Sequence, residues 1–251
     1  METQTKEAFY KLEKSYPVSV AEQDMLYSIK PAALLNLLQD AASRNLEGTS
    51  FSNPELNAKN MGWFLVRYRI EFDKYPQGVD QIVIKTENRG MQRLGAYRDF
   101  EAYTIENERI LRATTSWLMV NLSDKSLVNI EQKFPEIKHF EKRENDLVLR
   151  KLKSFENSDK EITFHVRYED LDMNGHVNNT VYMTWAMEAV DYEFKKTHSI
   201  KAIDIYYKHE AKYGEDIISC IKADYENNIT EHIIKDVKTK EELCLIKIEY
   251  C

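Results

Sequence analysis

The chain has 251 residues, 43% of them apolar, and a formal net charge of −7 at pH 7. That length and apolar content can bury a sizeable core, but an acidic chain lacks the dominant basic surface that nucleic-acid phosphates require. The sequence also shows no secretory signal pattern and no run of about 18 apolar residues, which a membrane span needs. We therefore expect a globular, cytoplasmic protein with no nucleic-acid partner and no stable membrane insertion.

The first half predicts a strand, a long helix and then a run of strands. Residues 1–14 are charged and polar, which is typical of a frayed end or a short helix. A strand is expected at 15–24, and a helix follows from Pro31, a residue suited to the first helical position, to a stop at Gly48. Because this helix is apolar nearly all round, we expect a sheet to wrap it. Candidate strands follow at 63–72, 81–89, 95–106 and 109–122.

A charged segment separates this half from the rest of the chain. Residues 123–160 have mixed charges and few apolar residues, and we interpret 138–160 as a linker. Its apolar tract LVLRKLKSF could pack along a neighbouring surface. At residue 161 the strand pattern starts again.

The second half is a repeat of the first. Asp24 falls on Asp172 at an offset of 148, and this offset continues into the helix that follows. Further along, 74–75 matches 212–213 at an offset of 138. A strand, a helix and antiparallel strands make an α+β unit, so the chain holds two copies of one unit, which a one-domain relative achieves by dimerising.

One loop of the second copy gathers polar residues between a strand and a helix. Asp172, Asn174 and His176 follow the strand-like FHVRY, an Asn-Gly pair marks a turn, and Asn178 or Asn179 can cap the helix beyond. A carboxylate, an amide, an imidazole and backbone amides at a helix N-terminus stabilise developing negative charge. This combination is what acyl transfer requires.

The first copy lacks the amide and the imidazole of this loop. It has Leu26 and Ser28 in their places, and at the offset of 138 its Phe72 stands where the second copy has Glu210. We therefore expect one active site, in the second half, completed by Glu210 from a strand beside the loop. The first half would supply walls for the acyl chain.

The run DLDMNGHVNN at 170–179 resembles the D-x-D-x-N-x-H-V-N-N signature of the acyl-acyl carrier protein thioesterases, the plant enzymes that end fatty-acid elongation and their bacterial relatives. The tracts MGWFLVRYRIEFDKYPQGVD and ATTSWLMVNLSDKSL are also similar to the first half of that family. The resemblance implies two tandem hot-dog domains, at 1–137 and 161–251, each with a long helix wrapped by an antiparallel sheet. It also implies hydrolysis of fatty acyl chains from acyl carrier protein (ACP). Because the sequence has no cofactor motif, we expect this reaction to need no cofactor and no metal.

The resemblance further implies the roles of four residues. The Asp, Asn and His of the signature act in the family with a Glu on the next strand, and they fall here on Asp172, Asn174, His176 and Glu210. Ala211 stands where a Cys often follows the Glu, which counts against a papain-like mechanism. We assign Glu210 to water activation, and Asp172 either to holding Asn174 and His176 or to direct attack on the carbonyl.

Four further residues are candidates for binding the substrate. The backbone amides around Val177 and Asn178 would polarise the thioester carbonyl together with His176. Trp63 and Trp185 would line an acyl tunnel.

Other chemistries are less well supported by the sequence. Asp170, Asp172, His176, His209 and Glu210 could be drawn as a metal cluster, but H-E-x-x-H is absent and strand alternation would point His209 and Glu210 to opposite faces. Neither a G-x-S-x-G elbow nor a phosphate-binding glycine loop is present. Hydrolysis of acyl-CoA, and acyl binding without catalysis, stay as alternatives.

The predicted partner sets a further requirement. ACP is acidic, so this acidic chain needs a local basic surface, for which Lys208, Lys212 and the segment 138–153 are candidates. The sequence is also compatible with a homodimer.

The three cysteines show no C-x-x-C spacing, which predicts neither a disulfide framework nor a thiolate metal site. Cys220 and Cys244 lie in apolar, strand-like contexts, where burial keeps a thiol inert. We therefore expect catalysis to depend on carboxylates.

Overall fold

The fold is given by a computed structural model that describes residues 10–135 and 137–251. The strands are β1 (Lys11–Pro17), β2 (Met61–Phe72), β3 (Gln81–Gln92), β4 (Gly95–Tyr103), β5 (Arg109–Asn121), β6 (Lys160–His165), β7 (Ile200–Tyr207), β8 (Asp216–Asp224), β9 (Ile229–Asp236) and β10 (Glu242–Tyr250). The α-helices are α1 (Pro31–Leu46), α2 (Asn53–Ala58), α3 (Ile130–Lys133), α4 (Asn179–Ala189) and α5 (Tyr192–Thr197). None of these helices is long and apolar enough to cross a membrane.

The first strand lies earlier in the chain than the sequence predicts. β1 begins at Lys11, so the prediction of a frayed end or short helix is wrong for 11–14, while its part at 1–9 lies outside the described residues. β1 gains its backbone partners by pairing with β3 along its whole length. It ends before the predicted boundary because a single helical turn follows, in which the backbone N–H and the hydroxyl of Ser19 both donate to the Glu22 carboxylate at 2.7 Å.

The ten strands form one antiparallel sheet in the order β1-β3-β4-β5-β2-β7-β10-β9-β8-β6. The first five strands of this order come from the first half of the chain and the last five from the second half. Each half packs its sheet against its own long helix, α1 or α4, and the two helices contact each other. The prediction of an α+β fold with two tandem hot-dog units is confirmed.

Both long helices are buried on most sides, as the apolar pattern of the first one predicts. α1 begins at Pro31 and is followed by Gly48 at a φ of +73°, a conformation that glycine adopts without strain. α4 is capped by Asn178, whose side-chain oxygen accepts a hydrogen bond from the Thr180 N–H at 3.0 Å. The buried side chains of α1 are Leu34, Leu35, Leu38, Ala41, Ala42 and Asn45, and those of α4 are Thr180, Tyr182, Met183, Trp185, Ala186 and Ala189.

Matching hydrogen bonds support the first offset of the repeat. The Asn178 N–H donates to the Asp170 carbonyl at 2.8 Å, and the Lys30 N–H donates to the Glu22 carbonyl at the same distance. The difference in position is 178 − 30 = 148, which is the predicted value.

The offset of 138 that was predicted for the later part of the repeat is wrong. The Val177 N–H donates to the Ala211 carbonyl at 3.0 Å, and in the first half the Ile29 N–H donates to the Pro76 carbonyl at 3.1 Å. Because 211 − 76 = 135, equivalent residues of the two halves are separated here by an offset of 135 and not of 138. The loop lengths differ between the halves, so the Lys-Tyr pairs at 74–75 and 212–213 are not equivalent positions. Their match in the sequence was a coincidence.

The two halves meet at a seam between β2 and β7, where Arg69 lies opposite Asp204. Because 204 − 69 = 135, these are equivalent positions of the two halves, and an approximate twofold axis passes between them. Both side chains are buried, and Nη1 of Arg69 donates to Oδ2 of Asp204 at 2.5 Å. Burial raises the pKa of Asp204, and the Arg69 charge opposes that rise.

The predicted linker has no helix or strand between residues 138 and 159. It runs over the face of the sheet opposite the long helices, where Leu152 and Phe155 pack on Cys220, Ile233 and Leu245. Since the halves share one sheet and one core, the domain boundaries at 1–137, 138–160 and 161–251 stay a prediction.

Candidate active site

The loop between β6 and α4 is closed by the carboxylate of Asp172. Oδ1 of Asp172 accepts the backbone N–H of Asn174 at 2.8 Å and that of His176 at 3.3 Å, and Oδ2 accepts the side-chain amide of Asn174 at 3.2 Å. The Asp172 N–H in turn donates to the His176 carbonyl at 2.7 Å. Gly175 takes the left-handed conformation that the turn needs, at a φ of +76°. These bonds fix three of the predicted residues relative to one another.

The first half builds the same turn without the same side chains. Oδ1 of Asp24 accepts the N–H groups of Leu26 at 2.8 Å and Ser28 at 3.0 Å, and the Asp24 N–H donates to the Ser28 carbonyl at 2.8 Å. Tyr27, at a φ of +60°, takes the place of the glycine. The turn therefore belongs to the fold, and only the amide and the imidazole are particular to the second half.

Glu210 lies beside this loop, but it is not on a strand. β7 ends at Tyr207, and the segment that follows is held by the Ala211 N–H, which donates to the hydroxyl of Tyr182 at 2.9 Å. Oε2 of Glu210 is 3.4 Å from Nε2 of His176. At the corrected offset Glu210 corresponds to Tyr75, so a carboxylate replaces a tyrosine there, and not Phe72 as the sequence predicts.

A lysine from the first half also reaches the carboxylate of Glu210. Nζ of Lys125, in the turn after β5, is 3.8 Å from Oε2 of Glu210. The sequence interpretation missed Lys125, because the contact joins positions 85 residues apart and no local pattern reports it. It also missed Tyr182, because its contact with the segment of Glu210 joins residues distant in sequence.

The backbone amides that were expected to polarise the carbonyl already donate to backbone carbonyls. The Val177 N–H donates to the Ala211 carbonyl at 3.0 Å, and the Asn178 N–H donates to the Asp170 carbonyl at 2.8 Å. Polar groups near the loop that can meet a substrate include the imidazole of His176, which is 22% exposed, and the second N–H of the Asn174 amide.

A cavity of about 130 Å³ adjoins the loop. Asp172, Asn174 and Asn179 line it from the second half, and because Asn174 is exposed the cavity opens to solvent on this side. The rest of the lining comes from α1, from the first residue of α2, from the strands of the first half and from the segments that follow α1 and α3. These residues are Gln39, Ala42, Ser43, Leu46, Phe51, Asn53, Trp63, Asn88, Met91, Ala96, Tyr97, Arg98, Trp117 and Ile137.

The two predicted tunnel tryptophans lie in different places. Trp63 lines the cavity and donates its indole N–H to the Phe51 carbonyl at 3.1 Å. Trp185 is buried in the core, 6.0 Å from Phe164 and 5.3 Å from Tyr182 between ring centres, and it is not part of the cavity wall.

One buried cation lies in the cavity wall. Arg98 is on the inward face of β4, where its neighbours in the alternation are Ala96 and Phe100. Its Nη1 donates to Asn45 at 2.9 Å and to Thr86 at 3.1 Å, and among the described residues it has no carboxylate partner. Burial lowers the pKa of Arg98 to about 10, so the guanidinium stays charged at neutral pH. The wall is therefore a mixed surface and not a purely apolar one.

The five residues that could be drawn as a metal cluster do not converge. The Asp170 carboxylate pairs with Arg167 at 2.7 Å, and Nε2 of His209 lies 3.2 Å from the Glu241 carboxylate. His209 and Glu210 point to different partners, as expected, but they do so from an irregular segment and not by strand alternation.

The thiols differ in burial. Burial raises the pKa of Cys220 to about 11 and holds the pKa of Cys244 well above its usual value, whereas Cys251 is exposed. None of these three free cysteines lines the cavity.

Many of the candidate basic residues are already paired with carboxylates. Lys208 contacts Glu242 at 2.6 Å, and in the linker Arg143 pairs with Glu87 at 2.8 Å while Arg150 pairs with Glu249. For Lys212, the structure shows a backbone N–H bond to Glu215 at 2.8 Å.

Both halves of the chain are similar to known proteins. The family model "Acyl-ACP thioesterase N-terminal domain" matches residues 9–137, and "Acyl-ACP thioesterase C-terminal domain" matches residues 153–251. Oleoyl-acyl carrier protein thioesterase 2 of Arabidopsis thaliana is 26% identical over 238 residues, covering 88% of this chain and 64% of that protein. Palmitoyl-acyl carrier protein thioesterase of Gossypium hirsutum is 29% identical over 199 residues, covering 74% of this chain and 48% of that protein. The chain thus spans less than two thirds of the length of these curated relatives.

Solved structures share the fold over nearly the whole chain. An acyl-ACP thioesterase from Bacteroides thetaiotaomicron superposes with a TM-score of 0.85 at 20% identity, covering 99% of this chain and all of the other. The 12:0-ACP thioesterase from Umbellularia californica superposes with a TM-score of 0.83 at 19% identity, covering 96% and 97% of the two chains. At 20% and 19% sequence identity, these two superpositions show that the fold is shared.

Proposed function

Because this chain belongs to the acyl-ACP thioesterase family, we propose that it hydrolyses the thioester of a fatty acyl chain carried on ACP and releases the free fatty acid. The observation that carries the proposal is the contact between Glu210 and His176, beside a turn whose Asp172 and Asn174 line a cavity. Release of the fatty acid would end chain elongation, which places the activity in fatty acid biosynthesis.

In this proposal Glu210 is the general base. Its carboxylate accepts a proton from a water molecule as the water oxygen attacks the thioester carbonyl carbon. The carbon–sulfur bond then breaks, the electron pair goes to sulfur, and the proton held by Glu210 returns to the thiolate. A thiolate leaves easily, so activation of water and stabilisation of the carbonyl oxygen are the steps that need the protein.

The carbonyl oxygen would be stabilised by side chains. The candidate donors are His176 and the second amide N–H of Asn174, because the N–H groups of Val177 and Asn178 already donate to backbone carbonyls. The loss of one such donor costs about 10² to 10³ in rate in a comparable site.

Asp172 is assigned to positioning and not to direct attack. Its oxygens accept three hydrogen bonds from Asn174 and His176, so both are occupied in holding the turn. The equivalent Asp24 holds the same turn in a half that has no imidazole, which supports a positioning role for the carboxylate.

The acyl chain would enter the cavity of the first half. The lining from α1, β3, β4 and β5 supports this placement, and Trp63 would be part of the wall. Trp185 would support the site through the core, since it packs on Tyr182, whose hydroxyl holds the segment of Glu210.

The test is turnover of the same acyl chain presented on ACP and on CoA, over a series of chain lengths. We expect faster hydrolysis of acyl-ACP, with a KM that rises with salt, because an acidic carrier meets basic residues. Faster hydrolysis of acyl-CoA would favour the alternative substrate, and tight acyl binding without turnover would favour a binding protein.

A cytoplasmic location and a homodimer also stay proposals. The exposed free thiol of Cys251 is compatible with a reducing compartment. Cell fractionation tests the location, and light scattering of the purified protein tests the oligomeric state.

A further inference from the structure

The Glu210 carboxylate lies beside His176 and Lys125, and the same oxygen is the nearer one to both. Oε2 lies 3.4 Å from Nε2 of His176 and 3.8 Å from Nζ of Lys125. A base that activates water needs one oxygen free for the water and a fixed orientation of the group. Here Oε1 is the oxygen farther from both charged partners.

Lys125 is the cation beside the other oxygen. Of the two lysines nearest in sequence, Lys208 pairs with Glu242 at 2.6 Å, and Lys212 donates its backbone N–H to Glu215 at 2.8 Å. In the described part of the chain, Lys125 is the one lysine or arginine in contact with Glu210.

Hydrogen bonds fix the conformation of the turn that carries Lys125. Lys125 has a φ of +59°, in the left-handed region that is strained for a non-glycine residue, and its N–H donates to the Asn121 carbonyl at 2.9 Å. The Asn121 side-chain oxygen accepts the Ser123 N–H at 2.9 Å and the Asn60 amide at 3.0 Å, which ties the turn to the start of β2. The position of the lysine is therefore set by the first half of the chain.

We propose that Lys125 is a positioning residue for Glu210, supplied by the first half to a site whose other polar groups come from the second half. This inference rests on the proposed function. Lys125 holds Oε2 beside His176, so that Oε1 faces the attacking water. The pair is exposed, with 58% of the lysine side chain open to solvent, so it adds little to folding stability and its effect should appear in turnover.

The experiment compares kcat and KM of Lys125→Met, Lys125→Arg and a matched control, Lys240→Met. Lys240 sits in a turn of the same shape, with a φ of +63° and an N–H that donates to the Asp236 carbonyl at 3.0 Å, but it makes no contact with Glu210. We expect Lys125→Met to lower kcat about tenfold with KM changed less than about twofold, since a misplaced catalytic group can cost up to about 10². Lys125→Arg should restore most of the loss, and Lys240→Met should match the wild type.

A double variant separates positioning from a general structural effect. In a Glu210→Gln background there is no carboxylate to orient, so Lys125→Met should cause no further loss of kcat. The inference is overturned if Lys125→Met keeps kcat within about twofold of wild type, if its effect multiplies with that of Glu210→Gln, or if the change is confined to KM. An unfolded Lys125→Met variant would also contradict it, because an exposed pair should not decide folding. Absence of turnover in the wild type would instead defeat the proposed function, and the positioning role with it.

Discussion

Replacement of Glu210 by Gln is the sharpest test of the proposed chemistry. The side chain is 34% exposed, and glutamine keeps its volume, so the change removes the charge facing His176 and Lys125 without opening a cavity. Exposed ion pairs contribute about 0–1 kcal/mol, and the free energy of unfolding should change by less than about 1 kcal/mol. Loss of a general base costs about 10² to 10⁴ in rate, so we expect kcat to fall at least about 10², which is about 3 kcal/mol of activation free energy.

The assay is release of free fatty acid from acyl-ACP, with kcat and KM measured alongside urea denaturation. Glu241→Gln is the matched control, because Glu241 forms a comparable pair with His209 at 3.2 Å and both side chains are about half exposed. The control should keep the wild-type kcat. If Glu210→Gln retained kcat within about fivefold, or if both variants lost activity equally, the base would have to be another group.

Three further predictions concern the turn, the thiols and the buried imidazole. Asp172→Asn should lower both stability and kcat, whereas Asp24→Asn, in the equivalent turn, should lower stability alone; equal loss of kcat in both would contradict the assignment. A mild alkylating reagent should add one group per native chain, at Cys251, and leave activity largely intact; mass spectrometry counts the adducts. Burial lowers the pKa of His232 from 6.5 to about 3, so below pH 6.5 the unfolded chain binds a proton that the folded chain does not. The free energy of unfolding should therefore fall by about 1.4 kcal/mol per pH unit between about pH 6 and 4, and His232→Leu should flatten that slope in urea titrations.

The regular elements could be predicted because their signals are local. Pro31 and Gly48 mark the ends of α1, and the four strands after it follow from alternation and turn residues to within a few positions. The loop of Asp172 could be predicted because its carboxylate, amide and imidazole lie within five residues and fold on themselves.

The parts that could not be predicted depend on loop lengths and distant contacts. The offset of 138 failed because matching two Lys-Tyr pairs takes no account of the different connections that precede them. Lys125 contacts Glu210 only because the sheet brings the two halves together. Trp185 was grouped with Trp63 because periodicity distinguishes buried from exposed residues, and it cannot distinguish a core from a cavity wall.

The seam at Arg69 and Asp204 lies between two halves of one chain, so substitutions can accumulate differently in each half. In a symmetric dimer every substitution appears twice, on both sides of the axis, so a residue that improves catalysis in one subunit is imposed on the other as well. Here the axis relates two stretches of one chain, and each position can vary alone. The half that holds Asp24 is therefore free to exchange polar groups for a wall of the cavity, while the other half keeps the imidazole. Covalent fusion thus permits a division of labour that symmetry forbids.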